Sequence, residues 1–354
     1  MNNARLPFPV FDGHNDALLR LAGKPPGDPR AFLERSETGH LDLPRAREGG
    51  FAGGMFAMFV PSKRKRQQKP ERTDSGYDVP LPEPPKLADA QRATLALAAN
   101  LFRIEAASNG RLKVVRGVRE LRDCLANGTL AAVLHIEGAE AIDPELDMLE
   151  VLYRAGLRSI GIVWSRPNAF GHGVPFRYPS SPDIGPGLTE AGERLVRACN
   201  GLGILIDVSH LNEKGFWDVV RISEHPIVAT HSNAHVLCPV SRNLTDDQLR
   251  AIRDSGGLVG VNFAVSFLRR DGHNQADTPL ATIVEHVDYL IERLGVDGVG
   301  FGSDFDGATV PNELGDAAGL PRLIEALRQH HDEATLRKLC SENWLRVLET
   351  TWHA

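Results

Sequence analysis

No cysteine in this chain has a near neighbour of its own kind. Cys124, Cys199, Cys238 and Cys340 stand far apart and make no C-x-x-C pair, a spacing that argues against a thiolate zinc site. They read as buried free thiols. No apolar run approaches the roughly 20 residues that cross a bilayer, so no membrane anchor is expected. Asn2, Asn3, Ala4 and Arg5 lead straight into Pro7 and Pro9, which leaves no room for the apolar centre of a secretion signal. Without export, disulfides are not expected and a cytoplasmic location is. Positive charge is outnumbered, with a formal net charge of −6, and no basic face is offered to nucleic acid. Nor does a glycine-rich phosphate turn follow the first apolar run, as it more often does in a doubly wound sheet.

What the sequence does contain is an alternation. Eight short apolar runs, at residues 8–16, 50–61, 130–137, 157–164, 202–210, 225–231, 257–263 and 299–304, are separated by helical patterns. Runs this short and this continuously apolar suit parallel strands covered on both faces. Thr189 can cap a helix that carries Leu195, Val196 and Cys199 and stops at Gly201. Thr245 and Gln248 form a T-x-x-Q capping box before a helix ending at Gly256, and residues 280–294 carry Ile283, Val287 and Leu290 on one face. Eight strand-then-helix units with right-handed crossovers close most economically into a (β/α)8 TIM barrel, an α/β fold formed here as one domain over residues 1–354. Residues 62–86 break the rhythm as a surface insertion with a solvated Lys-Arg-Lys-Arg run. Residues 170–187, rich in proline, follow the fourth strand and read as a lid. A last helix at 333–352 is expected to pack outside the barrel by Leu336, Leu339, Cys340, Val347 and Leu348.

Polar residues gather at the carboxyl ends of these strands, where barrel enzymes keep their chemistry. His14 and Asp16 share a face because a strand has a period of two. The third strand ends in Glu137, the fifth in His210, the sixth in His231 and the eighth in Asp304. Closure makes the first and eighth strands neighbours, so Asp304 falls beside His14 and Asp16, while His210 and His231 form a second pair. Glu137 lies between the groups and can bridge two cations. Two divalent zinc ions would be balanced by Asp16, Glu137, Asp304 and one hydroxide. Imidazole and carboxylate donors suit zinc and leave manganese and cobalt open. Two such ions, roughly 3.5–4 Å apart, would activate a shared hydroxide for attack on a carbonyl, with Asp304 passing its proton to the departing amine. No lysine stands at a strand end to serve as a carbamate bridge.

The stretches Asp12-Gly13-His14-Asn15-Asp16, Ile136-Glu137-Gly138, Gly187-Leu188-Thr189 with Gly192, and Ile206-Asp207-Val208-Ser209-His210 resemble the membrane dipeptidase (renal dipeptidase) family of binuclear zinc peptidases. So do His231-Ser232-Asn233, Ser241-Arg242-Asn243, Val261-Asn262-Phe263 and Gly302-Ser303-Asp304-Phe305-Asp306-Gly307. The resemblance runs in family order along almost the whole chain. It implies hydrolysis of dipeptides, L-Xaa-L-Xaa or L-Xaa-D-Xaa, with two Zn2+ per chain: one held by His14, Asp16 and Glu137, the other by Glu137, His210 and His231. By the same resemblance Asp304 is the acid/base carboxylate, Arg242 receives the substrate carboxylate, Asn262 contacts substrate, and the protein is a homodimer. One position departs from the pattern: Trp164 stands where mammalian members carry a substrate-contacting histidine, and indole cannot be protonated. Other readings of the same strand ends are a deaminase, lactonase or phosphoesterase of the wider amidohydrolase type, or a barrel without turnover. His135 supports a ligand or simply packs, Asp207 orients a histidine or does not, and Asp306 is a turn residue. His172, His235, His273, His330, His331 and His353 are expected in solvent, and His286 on the barrel exterior.

Overall fold

The computed structural model describes residues 8–22, 28–62, 71–73 and 76–352. Eight parallel strands close on themselves: β1 (Val10–Asn15), β2 (Phe51–Phe59), β3 (Leu130–Glu137), β4 (Leu157–Gly161), β5 (Leu205–Asp207), β6 (Val228–Ser232), β7 (Leu258–Val261) and β8 (Val299–Phe301). Each pairs with the next in the chain, β8 returns to β1, and helices fill the connections, so the chain folds as a (β/α)8 barrel. A ninth short strand, Leu112–Val114, extends the sheet beside the lower half of β3. Three residues are too few to show a period in the sequence.

Alternation along β3 explains how one strand serves two environments. Leu130, Ala132, Leu134 and Ile136 join the apolar layer beneath the helices, whereas Ala131 and Val133 belong to a separate interior cluster. Continuing upward on that inner face come His135 and Glu137. The barrel lumen therefore changes from apolar to ionisable within one strand length.

Helix boundaries follow the expected caps with one shift. Thr189 Oγ1 accepts from Gly192 N, and the Thr245–Gln248 box is formed. The first of these helices runs through Gly201 to Leu202, because the left-handed stop is supplied by Gly203 (φ 66°). The tail differs more. It is helical over Glu333–Arg337, widens to a π-turn over Lys338–Glu342, and resumes over Asn343–Thr351. Rather than lying only on the exterior, it closes the amino end of the barrel. Trp344 is fully buried, donates its indole N–H to Phe301 O at 3.0 Å, and packs on Phe11 at 5.8 Å. A Cβ on Gly13 or Gly300 would lie 2.4 or 2.6 Å from that indole, so these lumen positions are occupied by the ring.

Part of the insertion builds a small antiparallel sheet. Glu71–Thr73 pairs with Gly76–Val79, which pairs with Phe176–Tyr178 from the segment read as a lid. The Lys-Arg-Lys-Arg run lies outside the described residues. Among the described residues, no helix is long and apolar enough to cross a membrane.

Candidate metal centre at the barrel mouth

The six strand-end residues converge. Glu137 turns its two oxygens to different neighbours. Oε2 lies 3.8 Å from His14 Nε2, which is 3.3 Å from Asp16 Oδ2, while Oε1 lies 3.0 Å from His210 Nε2 and 3.6 Å from His231 Nε2. The His14 and His231 rings stack at 3.8 Å. Two overlapping triads, His14–Glu137–His231 and His14–Asp16–Asp304, each bring three donor atoms within 4.8 Å of one another.

The surrounding hydrogen bonds fix the lone pair of His231 and permit one on His210. Thr230 Oγ1 donates to Asp207 Oδ2 at 2.6 Å and must therefore accept from His231 Nδ1 at 2.8 Å. His231 Nε2 is thus a lone pair, yet it faces His210 Nε2 at 3.1 Å and the carboxylate of Glu137. His210 Nδ1 meets Ser165 Oγ at 2.8 Å, which lets its Nε2 be a lone pair too. Acceptors aimed at acceptors in a buried space call for a cation, and this donor set fits divalent metal. Asp207 thus acts on His231 through Thr230, a link the sequence left open. Ser165 and Thr230 escaped sequence reasoning, since single hydroxyls beside a histidine carry no distinctive pattern. His135 sits inside the lumen, bonded to Ser159 Oγ at 2.9 Å and edge-on to the His14 ring.

Asp304 is held on a left-handed backbone (φ 59°), as is His210 (φ 68°). Such conformations cost energy outside glycine and cluster at functional sites. Asn262 was expected to touch substrate. The structure instead buries it and spends both amide atoms internally: Nδ2 donates to Asp304 Oδ2 at 3.0 Å, and Oδ1 accepts from Ala264 N at 2.7 Å. Its placement suits aiming Asp304. Asp306 is a turn residue in backbone terms (φ 69°), but its side chain is enclosed and ion-paired with Arg20 at 3.0 Å. Asp12 receives Ser303 N and Oγ and so ties β1 to the loop after β8.

Burial and mutual charge shift His14, Glu137, His210, His231, Arg242 and Asp304. Burial opposes a charged His14, but Glu137, Asp16 and Asp304 prevail and raise its pKa to about 10. Burial, then the neighbouring positive charges of His14 and Arg242, lowers His210 and His231 well below the ordinary imidazole value. Glu137 and Asp304 are raised by burial, with Asp16 adding like charge. Arg242 is buried, pushed down to about 10 by desolvation, and donates to Ser232 Oγ and His231 O at 2.7 Å each. Among the described residues no carboxylate lies within ion-pair distance of it, although a buried guanidinium is normally paired with one.

Above the cluster opens a cleft of about 1150 Å³ lined by Asp16, Glu137, His210 and Asp304 on its floor, with Trp164 and Phe176 on one side. Tyr77 and Val79 of the insertion reach its rim. Arg242 and Asn262 stand behind this lining. Of the histidines expected in solvent, His172, His235 and His331 are half-buried, His235 bonded to Ser180 O and His331 to Asp288, and His353 lies outside the described residues. His286 is not exterior. It is fully buried, with Nε2 against Leu268 O and Nδ1 accepting from Ala234 N, stapling its helix to the loops after β6 and β7.

A closed barrel with clustered imidazoles and carboxylates at its carboxyl mouth defines a metal-dependent hydrolase. The chain belongs to the membrane dipeptidase family, peptidase family M19, whose model matches residues 4–354, and it is accordingly a metal-dependent dipeptidase. It is 53% identical to a metallo peptidase from Rhodobacter sphaeroides solved with a phosphinate mimic of the dipeptide L-Ala-D-Ala (TM-score 0.93, covering 98% of this chain and 99% of that one). A protein in the pqqA 5′ region of Klebsiella pneumoniae is 55% identical over 253 residues, 71% of this chain and 93% of that one. The probable dipeptidase PvdM from Pseudomonas aeruginosa, at 21% identity, shares the fold (TM-score 0.83, covering 98% of this chain and 96% of that one).

Proposed function

We propose that residues 1–354 act as one catalytic unit, a two-zinc dipeptidase that cleaves L-Xaa-D-Xaa dipeptides and accepts L-Xaa-L-Xaa. The carrying observation is Glu137, whose two oxygens face two separate donor groups. His14, Asp16 and Glu137 would hold one Zn2+, and Glu137, His210 and His231 the other. When bound, such ions polarise the scissile carbonyl and lower the pKa of water.

The chain's own residues do the rest. Asn262 engages Asp304 Oδ2, leaving Oδ1 to take the proton from water and pass it to the leaving amine. Arg242, a buried cation with no carboxylate in ion-pair distance among the described residues and with Nε unpartnered, receives the α-carboxylate of the substrate, for which a planar fork is well suited. The negative charge of Asp16 and Asp304 on the cleft floor favours an ammonium terminus. The L-Ala-D-Ala mimic bound to the Rhodobacter sphaeroides relative supports the stereochemistry. Four free, buried cysteines are compatible with a cytoplasmic home, and a homodimer remains the expected assembly.

The deciding experiment combines metal analysis with turnover. Two zinc ions per active chain, loss of L-Ala-D-Ala hydrolysis on chelation and its return with Zn2+ are expected. Full activity with one metal or none would overturn the proposal, and exclusive turnover of a lactone, phosphoester or deaminase substrate would redirect it.

A further inference from the structure

One wall of the cleft is a continuous row of rings. Phe267 stacks on Phe176 at 5.7 Å, Phe176 meets Trp164 edge-on at 5.6 Å, and Trp164 tilts against Phe59 at 5.1 Å. All four line the cleft. The row begins at Arg242, whose guanidinium carbon lies 5.9 Å from the Phe267 ring, and passes His210, 5.9 Å from Trp164. Trp164 follows β4 and Asp304 follows β8, strands on opposite sides of an eight-membered ring. Trp164 and Asp304 therefore lie across the mouth from each other.

The aromatic wall is supported from behind. The Arg166 guanidinium carbon lies 5.2 Å from the Phe59 ring and 5.4 Å from Trp164. Arg166 is itself held by Glu140 Oε1 at 2.7 Å, Val60 O at 2.7 Å and Ser62 Oγ at 2.9 Å, and neither member of the Arg166–Glu140 pair reaches solvent. A cation against ring faces attracts them, so the two rings are braced rather than loosely exposed. Folding alone gives no reason to leave such apolar surface open beside a charged centre, whereas ligand sites commonly have it.

We propose that Trp164, with Phe59 and Phe176, forms the subsite for the side chain of the dipeptide's C-terminal residue and selects an apolar, above all aromatic, one. The proposal rests on Arg242 taking the α-carboxylate. The side chain on that same Cα then falls along the row that starts at Arg242, while the ammonium terminus faces Asp16 and Asp304. A histidine at position 164 would bring a polar, protonatable ring to this wall. Tryptophan widens the apolar face and adds one N–H donor.

The test compares kcat/KM of the zinc-loaded enzyme on L-Ala-D-Phe and L-Ala-Gly. Burying a phenyl group supports a wild-type preference for L-Ala-D-Phe of roughly tenfold or more. Trp164→Ala should lower kcat/KM for L-Ala-D-Phe roughly tenfold more than for L-Ala-Gly. Trp164→Phe should keep the preference and Trp164→His should lose it, a pair that decides the matter if the alanine variant does not fold. Equal losses on both substrates, or a wild type that favours L-Ala-Gly, would overturn the subsite. Turnover of neither dipeptide by wild type would overturn the dipeptidase reading beneath it, and the subsite with it.

Discussion

The two ends of the barrel use the same eight strands for opposite purposes. At the amino end, glycines at 13 and 300 make room for an indole that packs with Phe11, Val133 and Leu205 to fill the lumen. Every polar atom of that plug is satisfied, since the Trp344 N–H reaches Phe301 O. At the carboxyl end the lumen holds Glu137, His210, His231 and Asp304, two of them on left-handed backbone, with acceptors facing acceptors. One end maximises packing; the other keeps charge and strain that packing would not choose. The contrast separates what holds the protein together from what makes it reactive.

Mutations should respect that division. The largest effect on chemistry is expected from Asp304→Asn, which keeps the shape but removes the proton carrier. Its kcat/KM should fall by roughly 10²–10⁴, with zinc content and melting temperature near wild type. Parallel loss of zinc would instead assign Asp304 to metal holding. Next comes Trp344→Ala at the opposite end. Removing a fully buried indole should cost about 3–5 kcal/mol of stability in denaturant melts, while kcat of the folded fraction stays close to wild type. A large fall in kcat with stability intact would dissolve the distinction between the ends. A smaller effect is expected from Thr230→Val, which sits between them. It breaks the Asp207–Thr230–His231 chain and should weaken zinc binding roughly 10–100-fold in competition with a chelator. Unaltered affinity would leave Thr230 as lumen packing only.

The architecture was legible because apolar runs of strand length recur with helices between them, and because a polar residue at the end of such a run stands out. His14, Asp16, Glu137, His210, His231 and Asp304 all announce themselves in this way, and they do converge. Residues that aim these groups are quieter. Ser165, Thr230 and Asn262 are common types whose value depends on which strand lies next door, a fact that only closure of the barrel supplies. His286 misled because a mid-helix histidine has the same local pattern whether its face meets solvent or a loop. Trp344 was passed over in the last helix, since nothing local distinguishes a helix lying along a barrel from one inserting a ring into its floor. The three-stranded sheet at the mouth was hidden because its strands are very short and one comes from a distant segment.

The plug also sets an order of events in biosynthesis. Residue 344 leaves the ribosome only after all eight strands have done so, and until then the lower lumen lacks the ring that Gly13 and Gly300 make room for. A chain ending before that residue is expected to keep all eight strands yet leave the space beside Phe11, Gly13 and Gly300 without its ring.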